Sequence, residues 1–282
     1  MSGRRCVLLE AWAFQEDLAS VVASAATGAT TLYARLLGLR CNSRGLEVLR
    51  VFFEAVARVD PELDAVILFD VKDDPPHDVK VSGGVTVQGD TNNNAGAPPD
   101  DGLPRRGDDD DEGDRPTERD DLSQRWVAVG GTFDHLHAGH RLLLAATALA
   151  ATERVFVGIA GDELLKTKKF AAALESFAVR EANVVDWFRR ARTNLQVDVS
   201  ALLDPADPPK AATMAGITGL VVSVETLAGA ERLAEIRKDR GIDEPLHFLK
   251  VGLIAGRSGD VDTHTKLSST ALREQKLRRD EE

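Results

Sequence analysis

With 282 residues, 43% of them hydrophobic, and a formal net charge of −11, the chain is long enough for more than one core. It is too acidic for general affinity to nucleic acid or an anionic membrane, which takes clustered Lys and Arg. Its two cysteines, Cys6 and Cys41, show no C-x-x-C spacing, which fits a reducing compartment and excludes a disulfide frame or a thiolate metal site.

The apolar run after Arg4-Arg5 is broken by Glu10, Glu16 and Asp17, too short for a signal-peptide core. No run approaches a membrane span. A cytoplasmic protein is expected.

Residues 1–71 alternate strand-like and helix-like pieces. Cys6–Phe14 is apolar with one charge, Gln15–Ala26 is helix-like, and Thr30–Leu37 suits a strand. Ser43 is the expected N-cap of a helix carrying Leu46, Leu49, Phe53 and Val56 on one face, and Ala65–Phe69 reads as a buried strand. This βαβαβ order predicts a small parallel α/β unit with no catalytic constellation. From 72 to 124 the periodicity stops at Pro75-Pro76, Asn92-Asn93-Asn94, Pro98-Pro99 and the run Asp108–Glu112. Eleven acidic and four basic residues lie between Asp100 and Asp121, so seven of the eleven net negative charges fall in this segment. Such a composition buries too little apolar surface to offset its ordering entropy. A disordered acidic linker is expected, one that repels itself and extends rather than holding a cation.

Residues 125–282 return to an α/β pattern. Strands are predicted at Trp126–Val129, Arg154–Ile159, Gln196–Leu202, Gly219–Ser223 and His247–Leu253, and helices at 139–151, 177–193, 226–240 and 269–279. The alternation implies a parallel sheet with helices on both faces and a site at the strands' carboxyl ends. The first strand is short and apolar enough to be buried on both faces, and it runs into Gly130-Gly131-Thr132-Phe133-Asp134-His135-Leu136-His137-Ala138-Gly139-His140. A strand, a glycine turn and a helix in this order aim helix-terminal N–H groups at a ligand, where amide donors and the positive end of the helix dipole hold phosphate. Gly130 and Gly131 let a ligand approach the main chain, and His137 and His140 share one helical face. The chain has no G-x-x-x-x-G-K-[ST], and no G-x-G-x-x-G follows a strand, so neither the kinase-type loop nor the dinucleotide fingerprint is present. No kinase activity is expected.

Four further pieces fall at the carboxyl ends. They are Lys166, Lys168 and Lys169; Leu203-Asp204-Pro205; Ser223-Val224-Glu225-Thr226; and Lys266-Leu267-Ser268-Ser269-Thr270-Ala271-Leu272-Arg273. Each has a plainer reading. Ser and Thr are ordinary N-caps, Glu225 suits a helix N-terminus, and the lysines suit a solvated loop. The group Asp134, His135, His137 and His140 also has the composition of a metal site, although the Gly-Thr before it and the helix behind it fit phosphate better.

His137-Ala138-Gly139-His140 resembles the H-x-G-H motif of the nucleotidyltransferase superfamily. Together with Gly130–Asp134, the L-L-K-T-K loop, Arg180, L-L-D-P, L-V-V-S-V-E-T, G-A-E-R-L-A-E-I-R and L-S-S-T-A-L-R, it resembles phosphopantetheine adenylyltransferases of the eukaryotic and archaeal type over about residues 125–279. The departures are Asp204-Pro205-Ala206-Asp207, where the family has D-P-Y-G, and Ala234, where it has asparagine.

The resemblance implies a Rossmann-like nucleotidyltransferase domain at 125–282 that transfers AMP from ATP to 4′-phosphopantetheine, with Mg²⁺ accompanying ATP and no protein metal site. It implies His140, His137, Thr132 and Lys168 as catalytic residues, Thr132 and Lys168 also positioning the acceptor phosphate. It implies ATP contacts from Gly130, Gly131, Phe133, Gly139, Ser223, Glu225, Thr226, Ser268, Ser269, Thr270 and Arg273, and acceptor contacts from Asp204 and Arg232. Two other readings stay open. One is the same chemistry on another acceptor, such as phosphocholine or glycerol phosphate with CTP, or nicotinamide mononucleotide with ATP. The other is a non-catalytic scaffold or nucleotide sensor, against which stand the intact Thr132, histidine pair and S-S-T-x-x-R.

Overall fold

The computed structural model describes residues 6–12, 17–69, 81–86, 121–204, 206–254 and 269–280. The N-terminal unit runs β1 (Cys6–Trp12), α1 (Leu18–Ala26), β2 (Thr31–Leu37), α2 (Ser43–Val59), β3 (Asp64–Ile67) and β4 (Val81–Thr86). It forms an all-parallel sheet in the order β3-β2-β1-β4.

Two details differ from expectation. Asn42, not Ser43, caps α2, its side-chain oxygen accepting from Gly45 N at 2.8 Å. Strand β4 comes from inside the stretch read as linker. Its Gly83-Gly84 lowers local strand propensity, but the open edge of β1 supplies a partner, and pairing context outweighs propensity. The end of that stretch is also held, Leu122 N donating to Cys41 O at 2.8 Å and Gln124 opening the next strand, while the rest of the linker expectation, for 72–80 and 87–120, lies outside the described residues.

The second unit runs β5 (Gln124–Gly131), α3 (Ala138–Ala150), β6 (Ala151–Ala160), α4 (Asp162–Leu165), α5 (Phe177–Ala191), β7 (Gln196–Leu202), α6 (Lys210–Thr213), β8 (Gly219–Ser223), α7 (Leu227–Asp239), β9 (His247–Val251) and α8 (Ser269–Asp280). Five parallel strands take the order β7-β6-β5-β8-β9, a Rossmann-like sheet. Chain order reverses between β5 and β8, and a crevice opens outside the carboxyl ends at such a switch point. Strand β5 is buried on both faces, with Val127 and Val129 in one apolar cluster and Ala128 in another.

The larger cluster spans both units. It joins Leu49, Phe52, Phe53 and Val66 of the first to Leu142, Ala145, Val184, Trp187 and Phe188 of the second. Burying each large side chain contributes about 1.5–3 kcal/mol. The Trp187 indole N–H donates to Ala65 O at 3.0 Å, so the ring is buried without an orphaned donor. Among the described residues no helix is long and apolar enough to cross a membrane.

Candidate active site

The link from β5 to α3 leaves ordinary backbone space. Phe133 has φ 52° and His135 φ 46°, left-handed conformations that cost about 1–3 kcal/mol each for residues other than glycine. Buried partners hold them there. The Phe133 ring is wholly buried, 5.4 Å from the His140 ring, and a Cβ on Gly131 would come within 3.2 Å of it. Asp134, also fully buried, accepts from Arg273 Nη1 at 2.7 Å and from Glu175 N at 2.9 Å. His135 N donates to Glu175 Oε2 and its Nε2 donates to Ala173 O, each at 2.7 Å. Fully buried Arg180 donates to Thr132 O at 2.8 Å, Ala160 O at 2.7 Å, Glu175 O at 3.0 Å and Asp162 Oδ1 at 2.7 Å. The turn is therefore fixed to β6 and α5 before any ligand arrives.

His137 is the N-cap of α3. Its Nδ1 accepts from Gly139 N at 3.1 Å, so the neutral ring carries its proton on Nε2, which lies 3.4 Å from Ser269 Oγ. His140 stacks on it with ring centroids 4.0 Å apart. Burial first, then the charges of His137, Arg141 and His135, hold the His140 imidazole well below the usual histidine range. It is neutral at neutral pH and can act as a hydrogen-bond donor, while its Nδ1 is buried without a partner.

A cleft of about 370 Å³ opens over these groups at the carboxyl ends of β5, β8 and β9. Its lining includes all four predicted catalytic residues, Thr132, His137, His140 and Lys168. Of the predicted nucleotide contacts it takes in Gly130, Gly131, Gly139, Ser223, Glu225, Thr226, Ser269, Thr270 and Arg273. Among the three lysines only Lys168 lines it. Lys166 pairs with Glu163 at 2.5 Å, and Lys169 gives its carbonyl to Arg273 Nε.

Several predicted contacts stand elsewhere. Phe133 is buried beneath the turn, outside the cleft lining. Asp204 is exposed and accepts from Ala206 N at 2.8 Å, closing its own turn. It follows β7, the edge strand two places from β5, and chain order alone hid that distance. Arg232 pairs with Glu235 at 2.7 Å on the exposed side of α7, whose inward face carries Ala230, Leu233 and Arg237. Arg273 lines the cleft but is 2% exposed, with Nη1 on Asp134, Nη2 on Thr270 Oγ1 at 3.1 Å and Nε on Lys169 O at 3.1 Å. It clamps α8 to the histidine turn. Ser268 lies outside the described residues. Ser223 and Thr226 close a capping box ahead of α7, Ser223 N donating to Thr226 Oγ1 at 3.0 Å.

The sequence reading missed the apolar wall of Leu143, Val251, Gly252, Leu253 and Ile254. Its signal was Gly252 directly after the last strand. Among the described residues no group of three or more His, Cys, Asp or Glu is gathered as a metal requires. Within the predicted cluster Asp134 is committed to Arg273 and His135 to Ala173 O.

A family model for cytidylyltransferase-like proteins matches residues 128–275. The chain is similar to the phosphopantetheine adenylyltransferase of Saccharomyces cerevisiae, at 36% identity over 52% of this chain and 47% of that one. It is similar to the phosphopantetheine adenylyltransferase of Thermococcus gammatolerans, at 32% identity over 53% of this chain and 87% of that one. An uncharacterized protein of Schizosaccharomyces pombe is 35% identical over 61% of this chain and 53% of its own. The chain spans about half the length of the two yeast relatives.

Proposed function

The chain belongs to the cytidylyltransferase-like family of nucleotidyltransferases, and from that premise we propose that it transfers AMP from ATP to 4′-phosphopantetheine, giving dephospho-coenzyme A and pyrophosphate. The observation that carries the reading is the meeting, in one cleft, of two stacked imidazoles with Lys168, Ser269 and Thr270. Support for this acceptor comes from the motif blocks between Gly130 and Arg273 and from relatives bearing that name in a yeast and an archaeon. Gly130 lines both the cleft and an apolar pocket of about 130 Å³ bordered by Ala128, Phe156, Leu202 and Leu220.

In this reaction an acceptor phosphate oxygen forms a bond to the α-phosphorus, the bond to the bridging oxygen breaks, and pyrophosphate leaves with the electron pair. The acceptor is already an anion, so no side chain has to remove a proton. The protein's work is alignment and charge stabilisation. Thr132 and Lys168 position the acceptor phosphate, and neutral His140 donates to the α-phosphate with His137 Nε2–H beside it. Ser269 and Thr270 hold the β- and γ-phosphates, while Arg273, through Asp134, keeps their helix in place. Mg²⁺ arrives with ATP. Glu225 is the single carboxylate among the described lining residues, which suits a cation held mostly by phosphate and water.

The test is purified protein with ATP and 4′-phosphopantetheine, followed by pyrophosphate release. Release dependent on both is the expected result. Turnover with CTP and a different phosphorylated acceptor, and none with ATP, would move the assignment to a cytidylyltransferase. ATP binding without turnover on any acceptor would leave a nucleotide sensor.

A further inference from the structure

The family match begins at residue 128, yet the histidine turn is also held from outside that region. The N–H of Ala138, the first residue of α3, donates to Pro61 O at 2.9 Å. The loop between α2 and β3 thus satisfies a helix-terminal donor with no partner inside its own helix. Arg141, 6% exposed, donates through Nη1 to Leu136 O, the carbonyl of the peptide leading into His137. Its Nη2 stands 3.5 Å from Asp64 Oδ1, at the limit of a hydrogen bond and chiefly coulombic.

Asp64 is fixed in turn by Arg190 of α5, Nη1 lying 2.8 Å from Oδ2 and Nη2 3.2 Å from Oδ1. Arg190 Nε lies 2.8 Å from Asp186 Oδ2 but off the N–H axis, a charge contact rather than a hydrogen bond. A polar cavity of about 340 Å³ borders this network, with Glu62 and Glu175 among its lining residues.

We propose that Asp64 is a positioning residue for the phosphate-holding turn, fixing Arg141 and through it the Leu136 carbonyl and the peptide of His137. The N-terminal unit is then part of the active-site machinery. Without the Asp64 charge, the buried guanidinium of Arg141 faces that of half-buried Arg190, which keeps Asp186 while Arg141 loses its carboxylate partner. Arg141 has Glu62 and Glu175 as alternative partners across the cavity, and turning to either releases Leu136 O. The inference rests on the reading of the cleft as a nucleotide site, not on the identity of the acceptor.

Charge makes the test discriminating. Asp64→Asn removes a negative charge, so by electrostatics alone ATP binds equally well or more tightly. A displaced turn predicts the opposite: ATP affinity by calorimetry about fivefold weaker and kcat about tenfold lower, since shifts of an ångström in catalytic geometry cost up to about a hundredfold. The Gly139 amide resonance, reporting its bond to His137 Nδ1, should shift, and Asp64→Glu should recover affinity to within about twofold of the unaltered chain.

Unchanged or tighter ATP binding with an unmoved Gly139 resonance would overturn the proposal. Should Asp64→Asn not fold, the pair Asp64→Asn with Arg190→Gln relieves the repulsion, still strips Arg141 of its partner and carries the same expectation. ATP binding without transfer to 4′-phosphopantetheine in the unaltered chain overturns the acceptor reading alone, because the Asp64 comparison reads nucleotide affinity.

Discussion

The chain contains two parallel sheets built in nearly the same way. In the first, chain order puts β1 between β2 and β4; in the second, β5 lies between β6 and β8. What differs is the segment that follows the central strand. After β1 it reads Ala13-Phe14-Gln15-Glu16-Asp17, without glycine or histidine and with two carboxylates. Strand β5 itself closes on Gly130-Gly131, and the turn after it ends in two imidazoles at the N-terminus of a 13-residue helix. The second segment carries donors suited to an anion, and the first carries, in its sequence, charge of the anion's own sign. The shared topology gives a place for a site, and the residues at one strand end decide whether one exists.

Substitutions on the two sheets should separate accordingly. The largest effect is expected at His140. His140→Ala should lower kcat by about 10²–10³, the cost of losing one transition-state donor, measured against active-site concentration; a loss below threefold would remove His140 from the mechanism. Gly45, in the first sheet's helix α2, should give the mirror image. A Cβ there would stand 1.8 Å from Arg40 O, so Gly45→Ala should cost about 3 kcal/mol in urea denaturation while the folded fraction keeps its turnover.

Gly139→Ala sharpens the contrast. Its Cβ would reach 3.0 Å from His137 Cε1 and push the imidazole off its N-cap position. About a tenfold loss of kcat is expected, although alanine is the better helix former by about 1 kcal/mol. Activity that falls while the melting temperature holds or rises is the diagnostic pattern.

The smallest effect concerns pH. The folded His140 pKa is depressed, so between its folded value and the unfolded value of about 6.5 the unfolded chain binds the extra proton. This stabilisation is present above about pH 6.5 and is lost as pH falls toward the folded value. Denaturation at pH 5.5 against pH 7 should show about 1 kcal/mol less stability from this group, and His140→Gln should lack that part of the difference.

Much of the site was legible because its signals are local. A histidine that caps a helix, a glycine two residues on and a second imidazole one turn later define one another within a few positions. The strands at Gln196–Leu202 and Gly219–Ser223 match their sequence bounds to the residue, since alternation in the first and a short apolar run in the second carry their own limits.

What escaped was set by partners distant in sequence. Arg273 reads from the sequence as a phosphate contact alone, and its pairing with Asp134, 139 positions earlier, shows only in the structure. Asp204 follows a strand like the others, and only the strand order shows it to be at the far edge. Asp64 has no periodic neighbour that marks it, because its arginines come 77 and 126 residues later.

The indole of Trp187, tied to the Ala65 carbonyl, has a practical consequence for anyone dissecting this chain. A protease cleaving between 87 and 120 would sever the covalent connection and leave the halves adhering through a shared apolar seam. Production of residues 121–282 alone would turn that seam outward, inviting insolubility where a neat excised module had been sought.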